Sequence, residues 1–258
     1  MLKNRQELLK VRICLLVHFI SFFIFTFVYG GVHLHMVCKG TNYLNKAMAL
    51  YKTITVRPGV RVLLWKIEES EKVLAMDVEL TLHCDDRLKG MKSELHRRGF
   101  LSIRHLLAEA GYTDHDLFYD SAGKPHLKDG RKISITHSHE FTGIIIADFD
   151  EVGIDIELQR DKILAIASKF TPLEEYKTLA NTEALIRKLT IVWGAKEALY
   201  KIYAHPGLSF LHHIDIKDFS FADKGTTGTI LFHGEESFYT IHFMEFEGYS
   251  CVFAIKDE

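Results

Sequence analysis

Asp155 and Glu157 stand two residues apart in the apolar run Val152 to Leu158. A short run of this kind reads as a buried strand, and a strand turns successive side chains to opposite faces. Ile154 and Ile156 then share one face, and Asp155 and Glu157 share the other. Two carboxylates on one face of an apolar strand repel each other and resist burial. A hard divalent cation such as Mg²⁺ between them answers both problems. An edge strand with its polar face in water accounts for the same pattern, and these residues alone leave both readings open. A second set follows in Trp193, Glu197 and Lys201, spaced four apart and so on one side of a helix. Glu197 can act as a third acidic ligand opposite the first two, with Lys201 one turn beyond. A plain surface Glu–Lys pair is the alternative. Three carboxylates match the charge of Mg²⁺ plus a diphosphate.

The elements that must hold these residues can be read from pattern. The Pro58-Gly59 turn leads into a strand from Val60 to Ile67. A long helix is predicted from about Asp86 to Ala110, with Gly111 as its C-cap. Gly99 interrupts its propensity, and Lys89, Lys92, Arg97, Arg98 and Arg104 form its basic face, either solvated or an anion site. Strands are predicted at Leu117–Tyr119, Lys132–Thr136 and Gly143–Asp148, the last joined to Val152–Leu158 as a hairpin. A short helix at Asp161–Lys169 comes next, then a helix start at Thr171-Pro172-Leu173-Glu174. A longer helix runs from about Thr182 to Tyr203 and is stopped by His205-Pro206-Gly207. Alternating segments at Ile214–Phe219, Gly228–Phe232, Ser237–Phe246 and Tyr249–Ile255 read as an antiparallel meander turning at Glu247-Gly248. Both halves run strand, helix, strands, which suits two related subdomains of an α+β fold.

Composition narrows the class. The chain has 258 residues, 47% hydrophobic and 26% charged, with a net charge of −2. It lacks the basic excess of a dedicated nucleic-acid binder. Cys14, Cys38, Cys84 and Cys251 have no metal-type spacing and suggest no disulfide framework, so a reducing compartment is the default. Residues 1–47 differ from the rest: Lys3, Arg5, Lys10 and Arg12 precede an apolar run from Ile13 to Val32. That run is long enough to span a bilayer as a helix, which by the positive-inside rule would put the rest outside the cytosol. A cleaved signal is a second reading. The third is a true start at Met48, with residues 1–47 a hydrophobic extension that is not part of the working protein, which leaves the chain cytoplasmic.

Taken together, the motifs resemble the signature of the 4′-phosphopantetheinyl transferase superfamily. Gly153-Ile154-Asp155-Ile156-Glu157 matches its G-I-D element, and Trp193 to Lys201 (WGAKEALYK) matches its W-x-x-K-E-x-x-x-K element. Gly123-Lys124-Pro125 looks like its G-K-P turn. Ser134-Ile135-Thr136-His137-Ser138 looks like its N-x-S-H-S strand end, with Ser and Thr substituted at the first and third positions. The resemblance covers roughly Leu50 to Ile255. It implies transfer of 4′-phosphopantetheine from coenzyme A to a serine of an apo acyl or peptidyl carrier protein, with release of 3′,5′-ADP. Asp155, Glu157 and Glu197 would bind Mg²⁺. Thr136 and His137 would contact nucleotide phosphate, with Lys124 near the adenine or phosphate. Arg97, with Arg98 close behind, would meet the 3′-phosphate, and Lys196 and Lys201 would offset diphosphate charge. Glu197 would take the serine proton, and Lys201 or a water would protonate the leaving group. The chain's length suits the larger type resembling the surfactin-synthetase activator. That type is a monomer of two pseudo-repeated α+β subdomains, here 48–150 and 151–258, each a small antiparallel sheet under a long helix, with the site between them. A non-catalytic carrier-binding module of the same fold and a metal-dependent phosphohydrolase or nuclease are the rival functions.

Overall fold

A computed structural model describes residues 24–29, 32–37, 50–172 and 181–257. The chain divides into two compact units, Met1–Met48 and Ala49–Glu258. In the first, β1 (Ile24–Tyr29) and β2 (Val32–Val37) pair antiparallel, with Tyr29 opposite Val32. This corrects the bilayer helix expected over Ile13 to Val32. Its described part is strand, as suits β-branched and aromatic residues flanking a Gly30-Gly31 sequence; residues 13–23 lie outside the described residues. Among the described residues no helix is long and apolar enough to cross a membrane.

The second unit begins with β3 (Leu50–Arg57) and β4 (Val60–Lys66), joined through Pro58-Gly59, where Gly59 takes a φ of +79°. Helices α1 (Glu71–Leu74), α2 (Leu82–Gly90) and α3 (Glu94–Glu109) follow, then β5 (Leu117–Tyr119), β6 (Pro125–Leu127), β7 (Lys132–Ser138) and β8 (Phe141–Ala147). The remainder is β9 (Val152–Leu158), α4 (Lys162–Ile166), α5 (Thr182–Tyr203), β10 (Ile214–Ile216), β11 (Gly225–Phe232), β12 (Glu235–Phe246) and β13 (Tyr249–Lys256). Two antiparallel sheets result, in the orders β3-β4-β8-β7 and β10-β11-β12-β13-β9, with β5 and β6 as a separate pair.

These stack as four layers. The two sheets face each other through Val62, Phe141 and Ile145 on one side and Ile154, Ile156, Cys251 and Phe253 on the other. Leu101, Leu106 and Leu107 of α3 cover the outer face of the first sheet at Leu63, Trp65 and Ile144. Leu189, Val192, Ala195 and Leu199 of α5 cover the second at Ile230, Ile241, Val252 and Ala254. The mixed fold of helices on antiparallel sheets is therefore α+β, and both halves of residues 49–258 pack within one unit.

Two expectations change, and a third falls outside the described residues. The single helix over 86–110 is two helices. Thr81 Oγ1 accepts the Cys84 amide and starts α2, which ends at Gly90, and Ser93 Oγ accepts the His96 amide and starts α3. Side-chain caps favour a fresh start over continuation through glycine. Gly111 follows α3 with a φ of +92°, as a C-cap glycine should. The hairpin between β8 and β9 is absent. Both edges of β8 are taken by β4 and β7, so β9 crosses to the other sheet and pairs with β13, Asp155 opposite Val252. The helix expected to start at Thr171 falls on residues 173–180, outside the described residues.

Candidate active site

The strand face predicted for the carboxylates is the one that meets α5. Ile154 and Ile156 are buried between the sheets, so Asp155 and Glu157 turn toward the helix. Strand and helix cross almost in contact at Gly153. A Cβ there would lie 2.0 Å from the Ala198 carbonyl oxygen, so only glycine permits the crossing. Asn181 starts α5 by accepting the Ala184 amide, and Ala204 ends it in the left-handed conformation at a φ of +51°.

On this crossing the helical spacing of Trp193, Glu197 and Lys201 delivers all three to the strand's acidic face. Lys201 Nζ donates to Asp155 Oδ1 at 2.8 Å and to the Ile154 carbonyl at 2.8 Å. Trp193 Nε1 donates to Glu157 Oε1 at 3.3 Å. Asp155 is only 6% exposed, and its second oxygen, Oδ2, is buried with no hydrogen-bond partner. A buried ionised oxygen left unpaired is costly.

The electrostatics follow from this crowding. Burial, then Asp155, raises the pKa of Glu157, against the Trp193 hydrogen bond. Glu197 is raised to about 7, first by burial and next by Asp155, with Lys201 pulling it down. One lysine does not balance three carboxylates. Hard oxygen donors, mutual repulsion and the orphaned Asp155 Oδ2 fit a divalent cation. As they stand, no three His, Cys, Asp or Glu side chains among the described residues close into a metal-holding group.

Beside the carboxylates opens a cavity of about 530 Å³ between α2, α3, the β5–β6 turn, β7 and the end of α5. Its charged and aromatic lining includes Arg87, His96, Tyr119, Lys124, His137 and Lys201. Arg87 lies 5.8 Å from the Phe100 ring centre and 5.5 Å from that of Tyr119. Lys124 Nζ donates to the Ile202 carbonyl at 2.8 Å and approaches Glu151 at 3.4 Å. His137 meets solvent yet is crowded: the protein packed round it, then His96 and Lys201, lowers its pKa. Lys201 belongs to both features, closing the cavity at one end and gripping Asp155 at the other.

A family model described as the 4′-phosphopantetheinyl transferase superfamily matches residues 151–254. No curated protein matches the chain. The transferase-superfamily match covers less than half of the chain, yet it contains Asp155, Glu157, Glu197 and Lys201 together. The cavity residues from Arg87 to His137 lie before it.

Several expected site residues are held elsewhere. Arg97 donates to Glu71 at 2.8 Å and to the Met91 and Lys92 carbonyls, and Arg98 donates to the Glu69 and Ile67 carbonyls. Arg104 is buried against Asp114 at 2.9 Å. At these three positions the basic face of the predicted helix is committed to protein partners and ties α3 to its neighbours, and of the three Arg104 also lines the cavity. Lys196 is 2% exposed and donates to the Phe210 and Ile214 carbonyls, away from the carboxylates. Thr136 does not line the cavity: its side chain leaves β7 on the face opposite His137. Arg87 was not identifiable from its sequence neighbourhood, since its position depends on how the Arg104–Asp114 pair seats α2.

Proposed function

We propose that the chain transfers 4′-phosphopantetheine from coenzyme A to a serine of an apo carrier protein, with Mg²⁺ at the carboxylates. The observation that carries this reading is Lys201, which joins an acidic cluster with an orphaned oxygen to a basic cavity of nucleotide size. The superfamily match over residues 151–254 supports the same chemistry. Asp155 Oδ2, Glu157 and Glu197 are the oxygens that would hold the ion, which when bound neutralises and orients the diphosphate.

The chain's own groups do the rest. The 3′,5′-ADP portion would lie in the cavity, its phosphates drawn to Arg87, Lys124 and His137. Coenzyme A then presents the phosphoryl group bearing pantetheine near Lys201. The carrier serine oxygen attacks that phosphorus, and the bond to the bridging diphosphate oxygen breaks. Glu197 accepts the serine proton, directly or through a water. Lys201 faces the departing 3′,5′-ADP and offsets its charge, and either Lys201 or a water supplies its proton. Positioning and charge neutralisation carry most of the acceleration. All these residues come from one chain, which supports action as a monomer.

The test is mass spectrometry of apo acyl carrier protein incubated with the full chain, coenzyme A and Mg²⁺. The carrier should gain the phosphopantetheine mass, and Asp155→Ala should abolish the gain while staying folded. No gain on acyl or peptidyl carriers overturns the transferase reading; full activity in Asp155→Ala overturns the metal assignment.

A further inference from the structure

β9 is an edge strand of the larger sheet, and among the described residues no strand pairs with its outer edge. Unpaired edge groups inside a protein must be satisfied or they destabilise it. Here three side chains replace the missing strand. Ser134 Oγ accepts the Ile154 amide at 3.2 Å, Thr136 Oγ1 accepts the Ile156 amide at 3.1 Å, and Lys201 donates to the Ile154 carbonyl at 2.8 Å. Both hydroxyls stand on β7, itself the edge of the smaller sheet. The two sheets are therefore stitched edge to edge by hydroxyls two residues apart meeting amides two residues apart.

Asp155 lies between the stitched amides. Thr136 Oγ1 also donates to Asp155 Oδ1 at 3.3 Å, the same oxygen that Lys201 holds. A hydroxyl has one proton to donate. That of Thr136 is committed to Asp155, at a position 4% exposed and absent from the cavity wall. With Oδ1 fixed from two sides, the free oxygen Oδ2 is the one left toward α5, where a Cβ at Gly194 would be 3.7 Å away.

We infer that Thr136, with Ser134, is a positioning residue: it latches the free edge of β9 to β7 and orients Asp155 so that Oδ2 is presented to the cation. The latch rests on the metal assignment made above only in its last step. Thr136 does not line the cavity where nucleotide phosphate would lie. Hydrogen-bonding partners behind a metal ligand commonly govern affinity by about ten- to a hundredfold.

The experiment uses the full chain and Mn²⁺ as the probe, without coenzyme A or carrier. Mn²⁺ binding is titrated by electron paramagnetic resonance, and amide exchange is followed on the β9 backbone. Thr136→Val should weaken Mn²⁺ binding about tenfold or more and speed exchange at the Ile156 amide. Thr136→Ser, which keeps the hydroxyl, should restore both. At saturating metal the KM for coenzyme A should stay within about twofold in either variant, because no phosphate contact is lost. Unchanged Mn²⁺ affinity in Thr136→Val, or a raised KM with normal metal binding, overturns the inference. If the wild type takes up no Mn²⁺, the metal assignment fails on its own, and unchanged Ile156 exchange in Thr136→Val then overturns the latch. Should Thr136→Val fail to fold, Ser134→Ala decides: faster exchange at Ile154 supports the latch, and unchanged exchange overturns it.

Discussion

Glu197 gains protons more readily in the folded chain than in the unfolded one, because burial and then Asp155 lift it from 4.5 to about 7. The raised value favours folding below pH 4.5, and that contribution is lost as pH rises to about 7. The shift amounts to roughly 3 kcal/mol at most. In metal-free protein, Glu197→Gln should therefore gain stability relative to wild type between those pH values and hold the gain above them. Urea unfolding across that range, with chelator present, checks it; parallel profiles for the two proteins would refute the raised pKa. Gly153 is the second sensitive residue. A methyl there meets backbone at 2.0 Å, and backbone yields less than a side chain end. Gly153→Ala should cost about 3 kcal/mol or more, above ordinary overpacking, and should lower transfer by moving Glu197 and Lys201 away from β9. Thermal unfolding together with the carrier mass assay reads both effects.

At the scale of elements, the buried ion pair Arg104–Asp114 seats the helices that wall the cavity. Asp114 Oδ1 accepts from Arg104 at 2.9 Å, and its Oδ2 accepts from the Thr81 amide and hydroxyl, each at 2.9 Å. Burial opposes ionisation of Asp114, but the Thr81 amide and Arg104 outweigh it and hold the pKa below the usual carboxylate range. Removing one partner of a buried pair leaves a stranded charge and costs about 3–5 kcal/mol. Asp114→Ala should lose stability on that scale. Because Arg104 lines the cavity and Thr81 caps α2, the same variant should raise the KM for coenzyme A through displacement of Arg87. A stability loss with an unchanged KM would separate α2 from substrate binding.

At the scale of the molecule, the three buried apolar clusters of the described residues and every proposed site residue lie within Ala49–Glu258. The sheet-on-sheet core joins the halves before and after residue 150, so those halves should not fold separately, while 49–258 should. Expressed from residue 49, the chain should unfold in one cooperative transition, with near-native circular dichroism. Two transitions, or a broad non-cooperative one, would contradict a shared core.

What the sequence by itself determined is everything that depends on periodicity within one element. Period two put Asp155 and Glu157 on one face of β9, and a spacing of four aligned Trp193, Glu197 and Lys201 on α5, so the acidic face and its helical partners were legible. The close crossing at Gly153 came only with the structure, since local pattern does not say which element approaches that glycine. The tertiary structure alone decided which faces meet. Arg97, Arg98 and Lys196 are basic residues at plausible positions, but packing turned them to backbone carbonyls and Glu71. Arg87 reached the cavity because the break at Gly90 freed α2 to take its own direction. Thr136 and His137, neighbours in sequence, parted to opposite faces of β7, one to hold Asp155 and one to line the cavity. The crossing of β9 to the second sheet had the same cause. Hydrogen-bonding edges are filled by strands distant in the chain, and local pattern carries no record of which edge is already taken.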